Sequence, residues 1–157
     1  MGTTLEERVG EKLRKTGGTV ATAESCSGGL ISHRITNVPG SSAYFMGGAV
    51  TYSNEAKTKV LGVDDGSLEE HGAVSEHVAE QMARGAQDRF AADYAVACTG
   101  VAGPAGGTKD KPVGTVYIAV ATPGGTRVER CHFEGDRDRI KQQTADRALT
   151  LLLESIE

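Results

Sequence analysis

Residues 22–29 read TAESCSGG. Three hydroxyls, a thiol and a carboxylate stand beside two glycines, and small reactive side chains of this kind suit a nucleophile's turn. Ser25 is one candidate nucleophile and Cys26 the other, because a thiol at a helix start often has a lowered pKa. The N–H groups of Ser27, Gly28 and Gly29 could then hold an anion or a developing oxyanion. The competing reading is a capped helix start whose glycines serve packing alone. A serine nucleophile needs a base. His33, His71, His77 and His132 are scattered, and none stands in a polar motif, so a Ser-His-Asp arrangement has little support. The same scatter speaks against a zinc site, since no HExxH or Cys/His pair at ligand spacing occurs.

Lysine is the alternative base. Asn54 reads as the N-cap of a helix through EAKTKVLG, which puts Lys57 at its third position. The helix dipole disfavours a positive charge there. Dipole and burial together would lower the lysine pKa, as a base requires. Lys59 points elsewhere on the same helix. Tyr52 lies five residues before Lys57, where its hydroxyl could relay a proton or orient the amine. In isolation, each of these side chains also fits a solvated surface position.

Periodicity shows which elements must position these groups. Residues 4–15 have helical spacing, with Leu5, Val9 and Leu13 on one face and Thr4 and Glu7 fitting a capping box. TVATA at 19–23 reads as a strand, GGLISHRIT as a helix, and residues 44–53 as a second strand. Another helical turn or two covers 64–70. Ser75 caps a helix reaching Phe90, with Val78, Met82 and Ala86 on its stripe. DYAVACT at 93–99 reads as a buried strand. Two further strands meet at Pro123-Gly124-Gly125 in a hairpin. Asp136 opens a last helix with Ile140, Ala148, Leu152 and Ile156 inward. Helices alternating with strands, then a hairpin, predict an α/β layered domain with a mixed sheet. Ligands of such sheets gather at the carboxyl ends of strands. Three strands end in polar or glycine-rich segments there: Glu24 onward, Thr51-Tyr52-Ser53-Asn54, and Thr99-Gly100-Val101-Ala102-Gly103. The last, GVAGPAGG, matches neither a Walker A loop nor a dinucleotide fingerprint.

Composition narrows the class further. The 157 residues suit one domain, expected over 1–157. Glycine numbers 21, about 13% against a usual roughly 7%, which points to tight turns or close backbone approach to a ligand. The net charge is −4 with no basic run, which argues against a nucleic-acid partner. No apolar stretch approaches a membrane span, and MGTTLEERVGEKL is too polar and acidic for a signal peptide. Cys26, Cys98 and Cys131 are odd in number and widely spaced, which suits reduced thiols in the cytoplasm.

Taken in order, TAESCSGGLI, PGSSAYFMGGAVTYSNEAK, LGV, HGAVSEHVAEQMARGA, TGVAGPAGG and KPVGTVYIA resemble the CinA C-terminal domain family over residues 5–155. The resemblance implies a three-layer α/β/α sandwich with a mixed, mostly parallel sheet. It implies hydrolysis of the carboxamide of nicotinamide mononucleotide to nicotinate mononucleotide and ammonia, by a Ser-Lys mechanism without metal or cofactor. Ser25, Tyr52 and Lys57 correspond to the family's catalytic residues. Substrate contacts are expected from Glu24, Ser27, Gly28, Gly29 and Gly103, with the phosphate on Gly40, Ser41 and Ser42 or on Thr99 and Gly100. Members are commonly oligomeric, so a homo-oligomer is expected. Residue 27 is serine where the family often has threonine, which preserves the hydroxyl. Many members also carry an N-terminal domain resembling molybdopterin-binding proteins, with pyrophosphatase activity; these residues correspond to the short amidase form. The alternative is a non-catalytic nucleotide-binding or protein-interaction module.

Overall fold

The computed structural model describes residues 3–157. Helix α1 (Leu5–Thr16) leads to β1 (Val20–Glu24), α2 (Leu30–Thr36), a 3-10 turn (Ser41–Ala43) and β2 (Phe45–Val50). Then follow α3 (Asn54–Leu61), α4 (Asp65–His71), α5 (Glu76–Arg89), β3 (Tyr94–Gly100), β4 (Thr115–Thr122), β5 (Gly125–His132) and α6 (Arg137–Ser155). One five-stranded sheet has the order β2-β1-β3-β4-β5. β1 pairs in parallel with β2 and β3, whereas β4 is antiparallel to β3 and to β5. Four strands therefore run one way and β4 alone runs back. The expected α/β/α sandwich with a mixed sheet is what the chain forms.

Local chemistry accounts for the element ends. Thr4 Oγ1 accepts from Glu7 N at 3.2 Å while Thr4 N donates to Glu7 Oε2 at 3.0 Å, the reciprocal capping box read from the sequence. Ser75 and Asp136 cap α5 and α6 as expected. One cap differs. Ser53, not Asn54, accepts from Ala56 N at 3.0 Å, and Asn54 is the first helical residue. Serine and asparagine cap about equally well, so the Ser53-Asn54 pair leaves the boundary open by one residue. β4 and β5 are joined by Pro123-Gly124 in the short connection that favours hairpins.

The two faces of the sheet are filled differently. Toward α1, α2 and α6 the strands present Val20, Val96, Cys98, Val116, Ile118 and Val120, packed with helix residues such as Leu149 and Leu152. Toward α5 they present Ala21, Ala23, Ala95, Ala97, Ala119 and Ala121. The small methyls meet Ala79, Met82, Ala83 and Ala86, all fully buried. Gly85 carries the same closeness outward, because a Cβ there would run into the backbone carbonyl of Leu61 at the end of α3. β1 is buried along its whole length, as suits a central strand covered on both faces. Among the described residues no helix is long and apolar enough to cross a membrane.

Candidate active site

β1, β2 and β3 end on the same edge of the sheet, and their continuations converge on one cavity of about 320 Å3. That volume is in the range of small-molecule sites. Ser25, Tyr52 and Lys57 line it, as do Thr99, Gly100 and Gly103 after β3. An adjoining recess of about 220 Å3 shares Ala73, Val74, Val101 and Gly106 with it and is lined also by Lys111.

Ser25 follows directly on β1, and its N–H donates to Cys98 O of the neighbouring strand at 3.1 Å. That bond extends the β1–β3 ladder by one residue and fixes the serine at the sheet edge. Lys57 comes from the first turns of α3, with only 1% of its surface exposed. Its Nζ lies 3.0 Å from Ser25 Oγ, 2.9 Å from Thr51 O and 3.0 Å from Tyr52 O. No carboxylate pairs with it among the described residues. Burial pushes the Lys57 pKa below the ordinary lysine value, since a desolvated ammonium without a counter-ion is costly. In the neutral amine, the two carbonyls hold the two N–H bonds. The lone pair is then left for the Ser25 hydroxyl, the geometry of a general base.

Tyr52 contributes differently from the expectation. Its backbone carbonyl orients Lys57, while its hydroxyl accepts from Arg137 Nη2 at 2.9 Å. The ring is 60% exposed at the cavity mouth. Arg137 was not anticipated from the sequence. It is the first residue of α6, lines the cavity and also donates to Gly103 O at 2.7 Å. β5 runs in the same direction as β1, so the chain leaves it on the cavity side, and that direction is the signal that could have pointed to Arg137.

Several expected substrate contacts lie elsewhere. Glu24 and Ser27 are fully buried and turned inward, with Ser27 Oγ donating to Glu24 Oε1 at 2.6 Å. Gly28 is exposed, and its N–H is taken by Ser25 O at 3.1 Å rather than offered to a ligand. Gly29 is the left-handed residue before α2, with φ 102°, and neither glycine lines the cavity. Gly40, Ser41 and Ser42 precede β2. Since β2 is parallel to β1, they sit at the opposite edge of the sheet. There Arg14 Nη2 donates to Pro39 O at 2.9 Å and fills the space beside Gly40. The Cys26 and Ser27 N–H groups make no hydrogen bond among the described residues. Cys26 also lines the cavity, but the Cys98 sulfur beside it and its own burial push its thiol pKa up, away from the thiolate that attack requires.

Comparison with known proteins gives one family. The model of the CinA C-terminal domain matches residues 2–156. A CinA-like protein of Geobacter metallireducens is 54% identical over 151 residues, which cover 96% of this chain and 37% of that one. The chain thus spans little more than a third of the length of such curated relatives. Crystal structures agree over the whole domain. The competence/damage inducible protein CihA of Agrobacterium tumefaciens is 40% identical, with a TM-score of 0.92 and 98% of each chain covered. The competence damage-inducible protein A of Klebsiella pneumoniae is 36% identical, with a TM-score of 0.93, covering 96% of this chain and 94% of that one.

Proposed function

We propose that this chain, which belongs to the CinA C-terminal domain family, is a serine-lysine amidohydrolase that converts nicotinamide mononucleotide to nicotinate mononucleotide and ammonia. The observation that carries the reading is the buried Lys57 amine, 3.0 Å from Ser25 Oγ and held otherwise only by backbone carbonyls. A structural lysine of such depth would be expected to find a carboxylate.

Lys57 accepts the Ser25 proton as Oγ attacks the carboxamide carbon. The free Cys26 and Ser27 N–H groups are the oxyanion donors. Lys57 then returns the proton to the departing nitrogen, which leaves as ammonia. Water, activated by the same amine, opens the acyl-enzyme. Arg137, braced by Tyr52 and Gly103 at the mouth, offers the substrate phosphate the cation that Gly40, Ser41 and Ser42 are too remote to replace. The unit of action in this reading is a homo-oligomer in the cytoplasm, and it takes a small nucleotide rather than a nucleic acid or a membrane.

The test is ammonia release from nicotinamide mononucleotide by the protein beside Ser25→Ala, Lys57→Ala and Cys26→Ala. Turnover lost in the first two and kept in the third is the expected pattern. Activity that survives Ser25→Ala but not Cys26→Ala would transfer the reaction to the thiol. A folded protein that binds the nucleotide without hydrolysing it would make the domain a binding module.

A further inference from the structure

Glu24 is a fully buried carboxylate without a cationic partner among the described residues. Four donors surround it instead. Oε1 accepts from Ser27 Oγ at 2.6 Å and from Ile31 N at 2.9 Å. Oε2 accepts from Ser32 N at 2.9 Å and from Ser32 Oγ at 2.6 Å. The residue at the cap position of α2 is Gly29, which has no side chain to offer. Glu24 therefore caps the helix from the preceding strand, across the nucleophile's turn. A carboxylate there also meets the positive end of the helix. The helix start is thereby closed to a ligand.

Three further contacts define the turn between these anchors. Ser25 N is held on Cys98 O at 3.1 Å, Gly28 N closes back on Ser25 O at 3.1 Å, and Ser27 Oγ lies 2.8 Å from Cys98 Sγ. The Cys26 and Ser27 N–H groups are left over, beside Ser25. Neither is taken by the Glu24 carboxylate, whose donors are Ser27 Oγ, Ile31 N and the N–H and hydroxyl of Ser32, so the turn is held from its two ends while these N–H groups stay open.

We propose that Glu24 is the positioning residue of this turn: its carboxylate ties Ser27 and the start of α2 to the end of β1, and so sets the Ser25–Lys57 approach and keeps two N–H groups free for the oxyanion. The inference rests on the amidohydrolase reading of the site. It requires the carboxylate and not merely a side chain of that size, because each oxygen serves one backbone N–H that cannot turn away. In Glu24→Gln the amide NH2 must face one of those N–H groups, and the turn has to shift.

Three measurements on Glu24→Gln and Ser27→Ala test this. They are the unfolding midpoint, steady-state kinetics with nicotinamide mononucleotide, and labelling of Ser25 by an alkyl fluorophosphonate. In the labelling step, Ser25 Oγ bonds to phosphorus, fluoride leaves and the serine proton passes to Lys57. Glu24→Gln is expected to lower kcat about 100-fold with KM within about threefold, and to slow labelling to a similar degree. Labelling should still reach one per chain, whereas simple loss of folded protein would lower that end point and leave the rate unchanged. Ser27→Ala is expected to lower kcat about 3- to 10-fold. Wild-type kcat and labelling rate in Glu24→Gln would overturn the proposal, as would a lowered end point at wild-type rate. Should Glu24→Gln not fold, an unchanged labelling rate in Ser27→Ala overturns it and a slowed one upholds it. A wild type that is labelled at Ser25 but releases no ammonia would refute the amidase reading alone, and the labelling rates would still decide on Glu24.

Discussion

Two cations withdrawn from water, Lys57 and Arg34, have opposite surroundings. Arg34, on α2, bridges α1 and α6 by pairing with Glu6 and Asp146, and its side chain is 17% exposed. Its hydrogen bond to Glu6 raises its pKa and holds the Glu6 carboxyl below its usual range. Lys57 is more deeply buried and has carbonyls and a hydroxyl where Arg34 has carboxylates. Burial alone thus predicts neither charge state nor role. A cation faced by carboxylates is locked as a charge and joins helices, whereas one faced by neutral acceptors is poised to give up its proton.

Exchanging the chemistry of the two positions should break the comparison most visibly. Lys57→Arg puts a guanidinium that cannot lose its proton beside Ser25, and kcat for ammonia release is expected to fall by about 10³ or more. The pH profile comes next. The base form of Lys57 is neutral, so the rate should rise about tenfold per pH unit up to the lowered lysine pKa, then level off. Stability has the same sign. Between that lowered value and the usual 10.5 the unfolded chain binds more protons. Lys57 therefore adds stability as pH rises through the window and loses it as pH falls through the folded value. Denaturant titrations of Lys57→Met across that window should lack this slope.

Arg34→Met sharpens the contrast from the other side. Leaving Glu6 without its partner should cost about 1–2 kcal/mol, a fall in Tm of about 3–6 °C by calorimetry, with kcat unchanged. The smallest effect belongs to Lys59→Ala on the exposed side of α3. It should stay within about 0.5 kcal/mol of the parent in urea titrations and retain full turnover.

Much of this was legible in the sequence wherever the signal is local. Caps at Thr4, Ser75 and Asp136, the turn at Pro123-Gly124 and the buried strand read over 93–99 and found at Tyr94–Gly100 depend on residues within a few positions of one another. That Lys57 would share a sheet edge with Ser25 and Cys26 was legible from the strand ends they border, whereas the choice of Ser25 over Cys26 came from the family resemblance; the cap lies at Ser53 rather than Asn54. What escaped depends on direction and on depth. Gly40-Ser41-Ser42 has the composition of an anion site, but composition does not say which edge of a sheet a segment occupies. Arg137 stands in the alternating charges Asp136-Arg137-Asp138-Arg139, which resemble a solvated helix face, until β5 is known to run toward the cavity. Glu24 reads as a polar strand end open to a ligand. Only the strands on either side of β1, and the helix start above it, turn it into an internal anchor.

The alanine-lined layer under α5 has a consequence for altering substrate scope. Ala73 and Val74, just ahead of α5, form one wall of the cavity, and Thr99 Oγ1 donates to Ala73 O at 2.9 Å across it. With the sheet presenting alanine methyls to a closely packed α5, there is little slack to absorb a larger neighbour. A single methyl added at Ala97 is expected to press on α5 and, through it, on the Ala73–Val74 wall of the cavity. The width of the cavity can thus be tuned from within the core, by residues that do not line it.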